Sequence, residues 1–146
     1  MESIKNDSEI LAEIYRNAQL GLTSIVDLLP EVDDEEMKEE LTRQHEEYEK
    51  VCSEATKIAA AMQLELKEPS PIKKAMMWSA IKMNAAADNS RANVAQMMIK
   101  GTVQGITSLK TTMGESEKVM DGEIKKLLGR AIDMEEGFER RLKSYL

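Results

Sequence analysis

Glu135 falls where a carboxylate is costly. Projected at about 100° per residue, it lies roughly 40° from the centre of a stripe made by Leu128, Ala131, Phe138 and Leu142. An acid turned into an apolar interior resists ionisation unless a cation, a metal or strong donors face it. Gln44 is equally central on an earlier stripe, and Tyr48 follows one helical turn later. Matching levels across the short loops sets Glu135 near residues 42, 20 and 95 of the second, first and third helices, in one layer with Gln44 and Tyr48 and with Tyr15 or Gln19 within reach. Two chemistries fit such a layer. One is a hydrogen-bonded set of side chains that fixes helix register. The other is a ligand or metal site in which Glu135 and the single histidine, His45, would hold iron or manganese, with Arg43 as the alternative charge partner of Glu135.

His45 itself lies about 80° from the centre of its stripe, with Glu40 before it and Glu46 and Glu47 after it, a pattern that predicts a partly solvated surface position. Carboxylate-bridged di-iron centres use Glu-x-x-His spacing on inward faces of several helices. Thr42 occupies the position three before His45, and Glu9, Glu13 and Asp27 project onto the polar side of the first helix. A complete di-iron ligand set therefore cannot be assembled from one chain, and no catalytic residue is assigned. Eleven methionines suggest thioether ligation of Cu(I), but Met37, Met62, Met76, Met83, Met98 and Met120 recur at core spacing and read as packing. Cys52, the sole cysteine, reads as a small buried hydrophobe. No glycine-rich phosphate loop, nucleophile elbow, zinc spacing or catalytic triad occurs.

The elements that position these residues are helices. In 146 residues there are 7 glycines, 3 prolines and 3% aromatics, against 42% hydrophobic and 32% charged side chains, which argues against a sandwich or barrel and for amphipathic helices in one domain. Leu11, Ile14, Ala18, Leu22, Ile25 and Leu29 predict a first helix over about 8–29, ended by Pro30. Asp33 is the expected N-cap of a second helix over 33–66, with Glu36 at the capping-box position and Val32 and Met37 as a hydrophobic staple. Pro69-Ser70-Pro71 is a stop, a cap and a first helical position. A stripe through Met76, Ala80, Met83, Ala87, Val94, Met98, Gly101 and Gly105 predicts one helix over 71–112, with Asp88-Asn89-Ser90 as the cap at which it could instead divide. A last helix covers 116–145. Connections of three or four residues make consecutive helices antiparallel neighbours, and the fold class predicted is an all-α, up-down-up-down four-helix bundle.

The third helix carries a second apolar face, Met77, Ile81, Ala85, Ala92, Ala95, Ile99, Val103 and Ile106, with Trp78 beside it. A helix that is apolar on two sides is covered on two sides. Met77, Trp78, Ile81, Ile99, Val103 and Ile106 are accordingly the expected interface of a homo-oligomer, and the expected role is non-enzymatic, structural or interaction-type. Gly122 and Gly129 project outward on the last helix as a further expected contact. A net charge of −7 removes the phosphate attraction that nucleic-acid binding uses. No window is apolar enough to span a membrane, and the first residues lack a basic stretch followed by an apolar one, so the expected location is the cytoplasm.

Tyr15-Arg16-Asn17-Ala18-Gln19-Leu20-Gly21, Asp88-Asn89-Ser90 and Gln96-Met97-Met98-Ile99-Lys100-Gly101-Thr102 resemble segments of the ferritin-like superfamily, and more narrowly of small ferritin-like bundles from Gram-positive anaerobic bacteria. The resemblance spans about residues 8–146. It implies a bundle of four helices and a site for iron or manganese, and a spore-associated member is among the possibilities it carries.

Overall fold

The computed structural model describes residues 6–116 and 120–146, and among them every regular element is helical: α1 (Asp7–Leu28), α2 (Glu35–Met62), α3 (Pro71–Ala87), α4 (Arg91–Ser116) and α5 (Gly122–Lys143), with a 3₁₀ turn at Leu29–Glu31. Five helices stand where four were expected. Asp88 leaves the helical region at φ −159°, and its carboxylate accepts from the Ser90 backbone N–H at 2.9 Å. Asn93 donates to the Asp88 carbonyl. Side chains that bond their own backbone compete with helical pairing, which is why the continuous stripe does not become a continuous helix.

Other boundaries move for similar local reasons. Asp34, rather than Asp33, caps α2, accepting from the Met37 N–H at 2.9 Å. Val32 and Met37 are both buried. Helix α2 stops at Met62, four residues early, because Gln63 turns left-handed at φ 56° and closes the last turn onto Ala59 and Ala60. Ser70 caps α3 as expected. Helix α4 runs one turn past the expected end at 112, to Ser116. Asp121 caps α5, so the last helix starts at Gly122 rather than 116, and residues 117–119 of that expected helix lie outside the described residues.

Contacts fix the directions. Gln19 meets Cys52 and Gly21 meets Tyr48, so α1 and α2 are antiparallel. Arg141 on α5 reaches Glu40 on α2, and Arg130 reaches Glu54, so these two are antiparallel as well. Asp7 accepts from the Asp121 N–H at one end, while Arg91 joins Asp34 and faces the Tyr145 ring at the other. Helices α2 and α4 therefore start at the same end and run the same way, as do α1 and α5. The four long helices do not alternate in chain order, because α3 carries the chain back along α1: Ser24 donates to Met77, and farther along Glu31 accepts from Lys82 and Asn89.

The core lies among α1, α2, α4 and α5, filled by Leu11, Ile14, Leu41, Leu109, Leu128 and Phe138 among others. Ala85 is the one fully buried residue of α3. The break at Asp88 also changes which stripe is covered. In α4 the buried side comprises Val94, Ala95, Met98, Gly105, Ile106 and Leu109, and so takes residues from both predicted faces. In α3 the second face, Met77, Ile81 and Ala85, turns inward, while Met76 and Met83 from the expected core stripe are 69% and 74% exposed.

Candidate functional site

The carboxylate of Glu135 stands in the interior between α1, α2 and α4, 2% exposed. Asn17 Nδ2 donates to Oε1 at 2.5 Å and the Tyr48 hydroxyl donates to Oε2 at 2.9 Å. Tyr48 is itself held by an edge-on contact with Phe138, ring centroids 5.3 Å apart, and by Gly21, whose missing side chain leaves the space its ring fills. On the other side the Gly105 backbone approaches so closely that a Cβ there would sit 2.7 Å from Glu135 Oε2 and 2.8 Å from Asn17 Oδ1. Two glycines thus make room for one tyrosine and one acid.

Among the described residues no cation is paired with Glu135. Burial pushes its carboxyl up to about 7, against which the Asn17 and Tyr48 hydrogen bonds pull down. Burial, and then the carboxylate beside it, push the Tyr48 phenol well above its ordinary value, so it remains a donor. A cleft of about 770 Å³ between α1, α3 and α4 reaches down to this pair. Its walls are Leu20, Met77, Ile81, Met97 and Met98, its floor Asn17, Tyr48 and Glu135, and its rim includes Lys73 and Lys100.

The structure unites Glu135 with Tyr48 from the expected layer and places the other members elsewhere. Gln44 is fully buried but donates to Glu40 at 3.0 Å. Gln19 donates to the sulfur of Cys52, whose buried thiol is pushed up to about 11. Tyr15 packs half-buried against the core. His45 is on the surface side of α2, its Nδ1 2.8 Å from Glu49, and not at Glu135. Arg43 pairs with Glu40 at 3.4 Å. Among the described residues, no group of three or more His, Cys, Asp and Glu side chains is placed to hold a metal ion.

The levels also differ from expectation. Glu135 faces Tyr48, Asn17 and Gly105, where residues near 42, 20 and 95 were expected, since the break at Asp88 and the extra turn of α4 shift its register. Four participants escaped the sequence reading. Asn17 lies at a stripe edge and Gly105 looked like packing. Glu40 is 1% exposed and gathers Arg141, Arg43 and Gln44. Glu13, expected on the polar side of α1, accepts from the buried Thr112 hydroxyl of α4. The i, i+3 and i, i+4 relation of Glu40 to Arg43 and Gln44 was the available signal.

Of the expected interface, Trp78 and Val103 are exposed, Ile81 and Ile99 are half-buried against the core, Met77 is half-buried beside Ser24, and Ile106 is buried. Gly122 and Gly129 have open space at the position of an added Cβ. No described helix is long and apolar enough to cross a membrane. No family model, curated protein or solved structure matches this chain.

Proposed function

We propose that this chain is a non-enzymatic helical-bundle protein of structural or interaction type that forms a homo-oligomer in the cytoplasm, with the outer side of α3 as its contact. The observation that carries this reading is a triplet on α3. Ile72, Met76 and Met83 are 74%, 69% and 74% exposed and project within about 40° of one another, on the side of α3 away from Ile81 and Ala85, with Ile72 and Met76 also bordering the cleft. Large apolar side chains clustered on an exposed helix mark an interaction surface. Helix α3 also carries Lys73, Lys74 and Lys82 and no acid, in a chain of net charge −7. A second copy supplies both a matching apolar stripe and an acidic surface, which favours self-association over a nucleic-acid or membrane partner.

Light scattering at high micromolar concentration tests this. A dimer or larger species is expected, shifted toward monomer by Ile72→Glu with Met83→Glu; a monomeric parent protein overturns the reading.

The path of the chain favours a ferritin-like bundle of four long helices. Hairpins α1–α2 and α4–α5 with α2 parallel to α4 require a crossover along the bundle, the part α3 plays. The second reading is a degenerate ferritin-like protein binding iron or manganese, and the pairing of Glu135 with Tyr48, without a cation, supports it. Elemental analysis after loading with iron, manganese and zinc decides it, with stoichiometric metal required.

A further inference from the structure

We propose that the cleft between α1, α3 and α4 binds a fatty carboxylate, its alkyl chain lying along the helices and its anionic head held at the mouth by Lys73 and Lys100. The shape of the cleft follows from the break at Asp88. Helices α3 and α4 meet there, where Asn93 donates to Asn84 at 2.8 Å, and diverge from that point, so that α1 forms the bottom of the gap between them. The lining runs from Ile72 to Asn84 on α3, from Asn17 to Leu28 on α1 and from Met97 to Ser108 on α4. Each stretch is about 17 Å long at about 1.5 Å per residue, so the cleft is a channel along the helices rather than a round cavity. Its volume of about 770 Å³ lies in the range of small-molecule sites.

The walls suit an alkyl chain. Met76, Met77, Met97 and Met98 line it with Leu20 and Ile81, and unbranched thioethers adapt their shape to a flexible apolar occupant. Gly101 has nothing within 4 Å of an added Cβ, so the channel is open over α4. Among the described residues of the lining Tyr48 is the sole ring, and no aromatic pair is there to clamp a flat ligand.

The mouth is positive in a chain of net charge −7. Lys73 and Lys100 are exposed lining residues, and neither has a carboxylate partner among the described residues, whereas Lys74 and Lys82 on α3 are paired with Glu68 at 3.2 Å and Glu31 at 3.0 Å. The one acid of the described lining, Glu135, is 2% exposed and accepts from Asn17 and Tyr48, so no exposed carboxylate of that lining opposes an anion. Two ammonium groups left unpaired beside an apolar channel are complementary to a carboxylate with a hydrocarbon tail. The site does not depend on the proposed oligomer, although Ile72 and Met76 border both surfaces.

Calorimetry with the full chain at about pH 6, where a Glu135 carboxyl held up to about 7 is mostly neutral, tests the site with decanoate, hexanoate, 1-decanol and decylamine. Decanoate is expected to bind at a single site, about threefold to tenfold more tightly than decanol, as two solvent-exposed ion pairs allow, with decylamine weaker than both. Hexanoate, shorter by four methylenes, should bind about a hundredfold more weakly than decanoate. Lys73→Gln with Lys100→Gln, both at exposed positions, should bring decanoate down to decanol and leave decanol unchanged, while Gly101→Leu, filling open space, should block both. Equal binding of decanoate and decylamine, no decanoate binding at millimolar concentration, or decanoate binding unchanged in either variant overturns the proposal. Light scattering on the titrated samples tests the competing occupant: the mass should stay constant as decanoate binds, and an oligomer that falls apart means that a second copy fills the channel, which also overturns it.

Discussion

Gly105 and Glu135 touch across α4 and α5 with no room for a single added carbon: a Cβ on residue 105 would stand 2.7 Å from Glu135 Oε2. The carboxylate is anchored by Tyr48 and Asn17 and cannot swing clear without leaving both. Gly105→Ala should therefore destabilise the fold by about 1–3 kcal/mol, as overpacking does. Gly101→Ala, in open space on the same helix, should instead stabilise by about 0.5–1 kcal/mol. Urea unfolding of the two variants reads the contrast.

Stability should fall as pH rises from about 4.5 through 7. The folded carboxyl of Glu135 lies near 7, above the value of 4.5 expected once exposed, so in this window the native state holds a proton that the unfolded chain has lost. The stabilisation is complete below the lower value and gone above the higher one. A shift of this size amounts to about 3 kcal/mol for the group. Denaturant titrations at pH 5 and pH 8 should show this loss in the parent chain, and Glu135→Gln, which carries no charge at either pH, should be flatter by that amount.

Tyr48→Phe removes a hydrogen bond that favours the charged carboxylate. The Glu135 carboxyl should then titrate above its present value near 7, and stability should drop by about 1 kcal/mol. Carbon-13 shifts of labelled glutamate followed against pH would locate the midpoint; one that stays put or moves down contradicts the assignment.

Arg141 holds the second buried acid. Its Nε lies 2.9 Å from Glu40 Oε1, and the two side chains are 40% and 2% exposed. Arg141→Ala leaves Glu40 underpaired and should cost about 2–3 kcal/mol, less than a fully buried pair because the guanidinium is partly solvated. Glu40→Gln in that background should recover part of the loss, measured by the same unfolding curves.

The helical fold was legible because hydrophobic spacing, caps and prolines agreed. Leu11, Ile14, Ala18 and Ile25 on α1 and Met37, Leu41, Val51, Cys52, Ala55 and Ala59 on α2 are buried, as helical spacing requires. The path between α2 and α4 was harder to read, since a stripe continuous through Asp88 says nothing about whether the backbone is. Three polar residues over which two helical readings compete decided it. Glu135 and Tyr48 were visible as polar residues on apolar stripes. Their partners were hidden for different reasons: Asn17 is at a stripe edge, and a glycine that yields space to a carboxylate looks in sequence like any small residue in a helix.

The third helix has consequences in time as well as in space. With only Ala85 fully buried, α3 is secured by Lys82 and Asn89 to Glu31 near one end and by the Ser24 contact to Met77 along its length. The two hairpins it joins bury nearly all of the core. Amide hydrogens of α3 should exchange through local openings long before those of α2 or α5. Each such opening lifts one wall from the channel above Tyr48, so the segment that directs the chain's path also sets how often solvent reaches its interior acid.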